Sequence, residues 1–322
     1  ASPFPVLRVY NQLTLNDVTI SGGESTPPAN RGGGIYAFYA EININSSEIS
    51  NNTGGAIFGY SSQLNIVDSE VTNNQGLPGA STGSAGITLS GSSNSNITGS
   101  TISGNHTLGD AKGGAIFVAN GYFYGADLVV SNSTISGNSS ESGGGGIHLH
   151  ERYYYMFPTN ANLTLSQVTL TNNSTNSDGG AIVNDDGRLT LNQTLVSGNH
   201  ATLVDEILNL GGQVITNGYN LIGLDGSSVS VGVNIGATDA VISEPDINMV
   251  LNPMLSDNGG LTPTHLLNPE GPAIDFVPNA ACVLNNDQTG NVRPIDGDAD
   301  GTADCDVGAL EYTDVIFKND FE

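Results

Sequence analysis

Over residues 13–199, apolar side chains alternate with polar ones in stretches of three to five residues, each closed by Gly, Asn or Ser. A period of two, rich in β-branched residues, predicts short strands and excludes helices over this span. The strands recur in sets. A glycine-led restart appears as "GGGIYAF" from Gly32, "GGAIFGY" from Gly54, "AGITLSG" from Ala85, "GGAIFVA" from Gly113, "GGGIHLH" from Gly144 and "GGAIVND" from Gly179. Alternating segments follow ("EININ", "QLNIV", "NSNIT", "DLVVS", "NLTLS", "RLTLN"), then third strands ending "SEISNN", "SEVTNN", "STISGN" (twice), "VTLTNN" and "TLVSGN". The Ile anchors at 35, 57, 87, 116, 147 and 182 are 22, 30, 29, 31 and 35 residues apart.

Three short strands per repeat, joined at Gly and Asn corners, describe one coil of a parallel β-helix. The 22-residue repeat is a bare coil, and longer ones carry corner loops. Such coils stack about 4.8 Å apart, and none buries its apolar face alone. The fold predicted is all-β, a solenoid of about seven to eight coils over residues 1–251, with a loop-rich capping region over 252–322. Corner residues Asn52, Asn74, Asn105, Asn138, Asn173 and Asn199 tolerate left-handed backbone, and in register their amides bond from coil to coil. Ser, Thr and Asn elsewhere read as an uncharged solvated face. They also create glycosylation triplets such as those at Asn132 and Asn162.

Charged residues are 12% of the chain, about half the usual share, and the net charge is −25. With seven Lys and Arg against 32 Asp and Glu, nucleic acid and anionic membrane surfaces are excluded as partners. No apolar run is long enough for a transmembrane segment. Cys282 and Cys305, 23 residues apart, are compatible with a disulfide or with two thiols.

"NGYNLIG" (217–223), "NPMLSDNGGLTPTHLL" (252–267), "GPAID" (271–275), "DQTGNVRP" (287–294) and "DVGALEY" (306–312) follow in that order. Together they resemble the C-terminal signature of choice-of-anchor Q-type proteins, secreted bacterial members of the pectate-lyase-like, right-handed parallel β-helix superfamily. The resemblance implies an exported or surface-displayed protein, and the terminal "VIFKNDFE" resembles short tails of some secreted Gram-negative proteins. The Cys-containing entry motif common in that family does not precede "LTLNDVTISGG", so the N-terminus reads as a cut end. An extracellular setting favours the Cys282–Cys305 disulfide, worth roughly 3 kcal/mol by loop entropy.

Four groups carry candidate chemistry. "DGDADGTADCD" places Asp296, Asp298 and Asp300 at alternate positions before Gly301, the start of an EF-hand-type calcium loop, with Asp304 at the ninth position. The twelfth is Val307, which leaves Asp306 or Glu311 to supply the missing oxygens; calcium is the cofactor expected. Corner insertions carry Tyr60, then Tyr122, Phe123 and Tyr124, then Tyr153, Tyr154, Tyr155 and Phe157, an aromatic surface suited to sugars or a protein partner. "HLHER" sends His148 and His150 to one strand face beside Glu151 and Arg152, a short candidate for metal or acid–base work. Glu41, Glu48, Asp68 and Glu70 line an outer face, while Asp185-Asp186 reads as a bend.

The basic residues are scattered, against the clustered cations a polysaccharide lyase needs. The expectation is therefore a non-enzymatic extracellular or outer-surface protein, structural or adhesive. Self-association is expected, head-to-tail into a filament if the first coil is open. The alternatives are a carbohydrate-active β-helix enzyme and a glycan-binding module.

Overall fold

A computed structural model describes residues 4–25, 31–78, 83–92, 94–151, 159–224 and 230–313. The repeats form coils, and every pairing between consecutive coils is parallel. The first strand of each coil joins an eight-stranded sheet running from Leu7–Val9 to Ile207–Asn209. The second and third strands share a fifteen-stranded sheet that bends at the corner between them. In the fifth and sixth coils that corner is absorbed into single strands, Ala126–Ser136 and Ala161–Thr171, bent where Asn132 and Gln167 take positive φ.

Register follows the sequence anchors. Ile35 pairs with Ile57, Ile57 with Ile87, Ile87 with Ile116, Ile116 with Ile147 and Ile147 with Ile182. Alternation sends these inward with Ile42, Ile44, Leu64, Ile66, Leu163 and Leu165 from the second strands and Ile49, Val71, Ile102 and Ile135 from the third, all buried in one core. The glycines before each anchor are fixed by close approach. A Cβ on Gly145 would lie 2.4 Å from the Ser174 carbonyl oxygen and 2.5 Å from that of Gly180, so only glycine lets adjacent coils meet there.

The asparagine corners form one continuous ladder. Nδ2 of Asn52, Asn74, Asn105, Asn138 and Asn173 donates to Oδ1 of the next corner Asn at 2.9–3.0 Å. The backbone N–H of each donates to that same oxygen at 3.0–3.1 Å. These side chains are buried, so the ladder satisfies groups that water cannot reach. A second column runs along another corner, where backbone N–H groups of Ser47, Ser69 and Ser100 donate to Oγ of Ser69, Ser100 and Ser133 at 3.0–3.2 Å. These serines are buried, which corrects their reading as a solvated face.

Glu206 closes the asparagine ladder. Asn199 Nδ2 donates to its Oε2 at 2.6 Å, and burial pushes the carboxyl up to about 8.

The C-terminal region departs from the cap expected. It runs back along the flank formed by the third strands. Thr101 Oγ1 donates to the Pro263 carbonyl at 2.6 Å, Thr262 Oγ1 to that of Gly99 at 2.8 Å, and Ala309 N–H to Thr169 Oγ1 at 3.0 Å. A second apolar core joins Leu195 and Leu221 of the solenoid to Ile242, Val250, Leu251, Leu267, Val277 and Val307. The division at residues 251/252 cuts through that core, because the flanking strap begins before Asn252.

One pH effect follows. The folded state keeps the Glu206 proton to about pH 8, whereas an unfolded chain releases it near 4.3. Its stabilisation is complete below that lower value and is lost as pH rises through 8, at up to about 1.4 kcal/mol per unit. Denaturation midpoints of Glu206→Gln and the parent chain should agree near pH 4 and separate by pH 8, with the variant more stable. Parallel pH profiles would contradict the assignment.

Candidate functional site

The first corner, between first and second strands, gathers aromatic rings from several coils. Tyr60 closes the strand Ile57–Tyr60 and so lies in a strand, not in an inserted loop as the sequence suggested. It stacks on Phe38 at 5.1 Å and meets the edge of Tyr39 at 5.9 Å. Tyr122, Phe123 and Tyr124 do sit in an insertion, which turns back through Gly121 N–H to the Tyr124 carbonyl over Gly91. Tyr39 and Tyr124, each 51% exposed, line a cleft of about 360 Å³ with Glu41, Ser61, Ser62, Gln63 and Asn94. Tyr153, Tyr154, Tyr155 and Phe157 lie outside the described residues. Tyr39 and Phe38 were missed because they belong to a bare coil with no insertion to draw notice.

The aspartate loop forms only in part as the spacing suggested. Three carboxylates, Asp275, Asp296 and Asp298, bring one oxygen each within 4.8 Å of one another. Asp296 Oδ1 is buried without a hydrogen-bond partner among the described residues, while Asp275 Oδ2 accepts from Gly297 and Asp298 N–H at 2.8 Å. Burial raises the pKa of Asp275. Asp300 Oδ1 accepts from Thr302 N–H, and Asp304 Oδ1 accepts from Asn279 N–H; neither joins the three. Asp306 is not one of the three clustered carboxylates. It is buried, accepts from the N–H groups of Asp275 and Tyr312, and is pushed up to about 8 by burial and then by Glu311. The disulfide joins Cys282 and Cys305, whose Cα atoms are 6.1 Å apart, and ties the loop to the strap.

The two motifs "DQTGNVRP" and "DVGALEY" converge around Arg293. Its guanidinium donates to Glu311 Oε2 at 2.7 Å, to the Asp306 carbonyl at 2.8 Å and to the Gly308 carbonyl at 2.7 Å. Glu311 N–H donates to Asp287. Gln288 then binds Thr134, Thr101 and Thr262 at 2.7–2.9 Å, which pins the strap to the third strands. This buried ion pair and the two carbonyl contacts hold the two motifs together, with Arg293 Nε left without a partner among the described residues.

At the strap's far end lies an acidic cleft of about 390 Å³ lined by Asp17, Glu48, Asp68, Glu70 and Leu261. Glu48 and Glu70 are direct cross-strand neighbours. Burial raises Asp68, and burial plus Glu48 raise Glu70. Glu41 lines the aromatic cleft instead. On the first sheet's outer face, His148 stacks on Phe117 at 5.7 Å, and His150 Nδ1 lies 2.7 Å from Asp185 Oδ2. Burial, followed by Lys112 and His150, holds His148 well below the usual histidine range.

Comparison with known families agrees with this geometry. Residues 6–160 match the family described as right handed beta helix region. The solenoid is a right-handed parallel β-helix. Residues 167–185 match the repeat of the Chlamydia polymorphic membrane protein. No curated protein and no solved structure matches the chain. Among the described residues, no helix is long and apolar enough to cross a membrane.

Proposed function

We propose that this right-handed β-helix is an extracellular, surface-displayed rod of the choice-of-anchor Q type. It adheres through the aromatic corner and self-associates end to end. The aromatic cleft carries the reading. Exposed faces of Tyr39 and Tyr124 beside carboxylate, hydroxyl and amide groups suit a sugar, whose C–H faces stack on rings while its hydroxyls hydrogen-bond. The net charge of −25 disfavours uronates and other anions, so the glycan is neutral. The converged Arg293 motifs support the family placement.

End-to-end association rests on the first coil. Among the described residues, Leu7–Val9, Gln12–Asn16 and Thr19–Ser21 pair with the second coil alone, and Leu7, Leu13, Leu15 and Ile20 are only half-buried. Any further coil stacked there, from the same chain or from another copy, would continue the columns and pair these backbone groups, and we assign that place to another copy.

Tyr39→Ala with Tyr124→Ala should cut retention on a panel of neutral glycans at least tenfold while the thermal midpoint holds. Unchanged retention would remove the adhesive role. Electron microscopy of the purified protein should show strings many chains long. Short, monodisperse rods at every concentration would remove end-to-end assembly.

Calcium is placed at Asp275, Asp296 and Asp298, where a hard cation satisfies the buried Asp296 Oδ1 and relieves carboxylate repulsion. Millimolar calcium should raise the thermal midpoint of the parent chain by several degrees and leave Asp296→Asn unmoved. An equal shift in both would place the ion elsewhere.

A second reading, carbohydrate-active chemistry, is favoured by the acidic cleft, where a raised Glu70 faces Glu48. Release of reducing ends from a polysaccharide panel, lost in Glu70→Gln, would support it over the adhesive rod.

A further inference from the structure

His148 is an anomalous polar side chain of the solenoid. It is 2% exposed, and both ring nitrogens are buried without a hydrogen-bond partner among the described residues. An imidazole serving only as a stacking partner for Phe117 would be replaced at no loss by Phe, since unpaired buried nitrogens cost stability. The nitrogens are not far from other donors. One ligand atom from each of His148, His150 and Asp185 lies within 4.8 Å of the other two.

Register assembles this group. His148 and His150 are alternate residues of the strand Ile147–His150, so both leave the same face of the sheet. Asp185 is directly opposite His150 on the following coil. Its Oδ2 lies 2.7 Å from His150 Nδ1, so the two offer adjacent ligand atoms that one cation can join in place of the hydrogen bond. The side chains of His150 and Asp185 are 30% and 26% exposed, so the outer side opens to solvent while His148 closes the inner side.

We propose that His148, His150 and Asp185 bind one divalent transition-metal ion of the zinc, copper or nickel class. Two imidazoles and one carboxylate are donors for borderline-soft ions. Calcium prefers an all-oxygen shell and is a poor match. Three protein ligands leave a coordination position for water or an incoming ligand at the open side. Lys112 weighs against a cation through its charge near His148, and Asp185 offsets it. The site is separate from the aspartate loop in position and in donor chemistry.

The test uses untagged full chain in saturating calcium, which occupies the aspartate loop and keeps failure there distinguishable from failure here. Zinc titration by calorimetry, with metal counted after dialysis, should give one ion per chain. X-ray absorption should show two imidazoles in its shell. His148→Phe preserves the stack on Phe117 and removes both nitrogens. It should fold, melt at or above the metal-free parent, and bind zinc at least 100-fold more weakly. Asp185→Asn should weaken binding tenfold or more, and Lys112→Ala should tighten it. Absence of stoichiometric zinc, copper or nickel binding by the parent would overturn the proposal, as would undiminished zinc affinity in a folded His148→Phe.

Discussion

A coil of this chain has no stable structure alone. Its strands are three to five residues long, too short to fold independently, and its backbone donors and acceptors point along the stack rather than within the coil. In-register contact with the next coil is therefore the condition for everything else. That contact pairs the strands and aligns the Ile columns. It also brings each corner amide within bonding distance of its successor. The asparagine ladder makes register discrete. Because the donors are buried, a slipped coil leaves them unpaired with no water to replace the partner.

The same constraint sets where chemistry can appear. Inward positions are committed to packing and corners to ladders. Function is left to outward residues of the strands, to corner insertions, and to the strap laid along the third strands. The aromatic cleft and the His150–Asp185 contact arise in this way: residues from different coils, far apart in sequence, become neighbours along the stack. Tyr39 and Tyr124 share a cleft across two intervening coils. The low count of positive charges, seven in the chain, makes the burial of Arg293 against Glu311 significant. It ties together two stretches of a segment that has almost no regular secondary structure.

Much of the coil was legible, because its rules are local. Period-two alternation fixed the inward residues, and the Gly restart fixed the register at Ile35, Ile57 and Ile87. The corner Asn residues were readable because their amides bond along the stack, but the left-handed backbone expected of them falls on the residues just before, Asn51, Asn73, Gly104, Gly137, Asn172 and Gly198. The serine column was not, since Ser47 or Ser69 at a polar corner has the local appearance of a solvated residue. Glu206 gave no signal, because its burial depends on where the ladder ends. The strap's course depends on contacts such as Thr101 with Pro263, 162 residues apart, which no periodicity encodes. Asp275 was missed as a neighbour of Asp296 for the same reason.

The most direct test of the in-register account compares two asparagines in neighbouring columns by chemical denaturation. Asn105 is a buried rung that accepts two hydrogen bonds from Asn74, while Asn96 is an exposed rung that donates to Asn65. Asn105→Ala strands buried donors and should cost about 3 kcal/mol, whereas Asn96→Ala should cost under about 0.5 kcal/mol. Equal, small losses at both positions would mean that the ladder does not hold the coils in register.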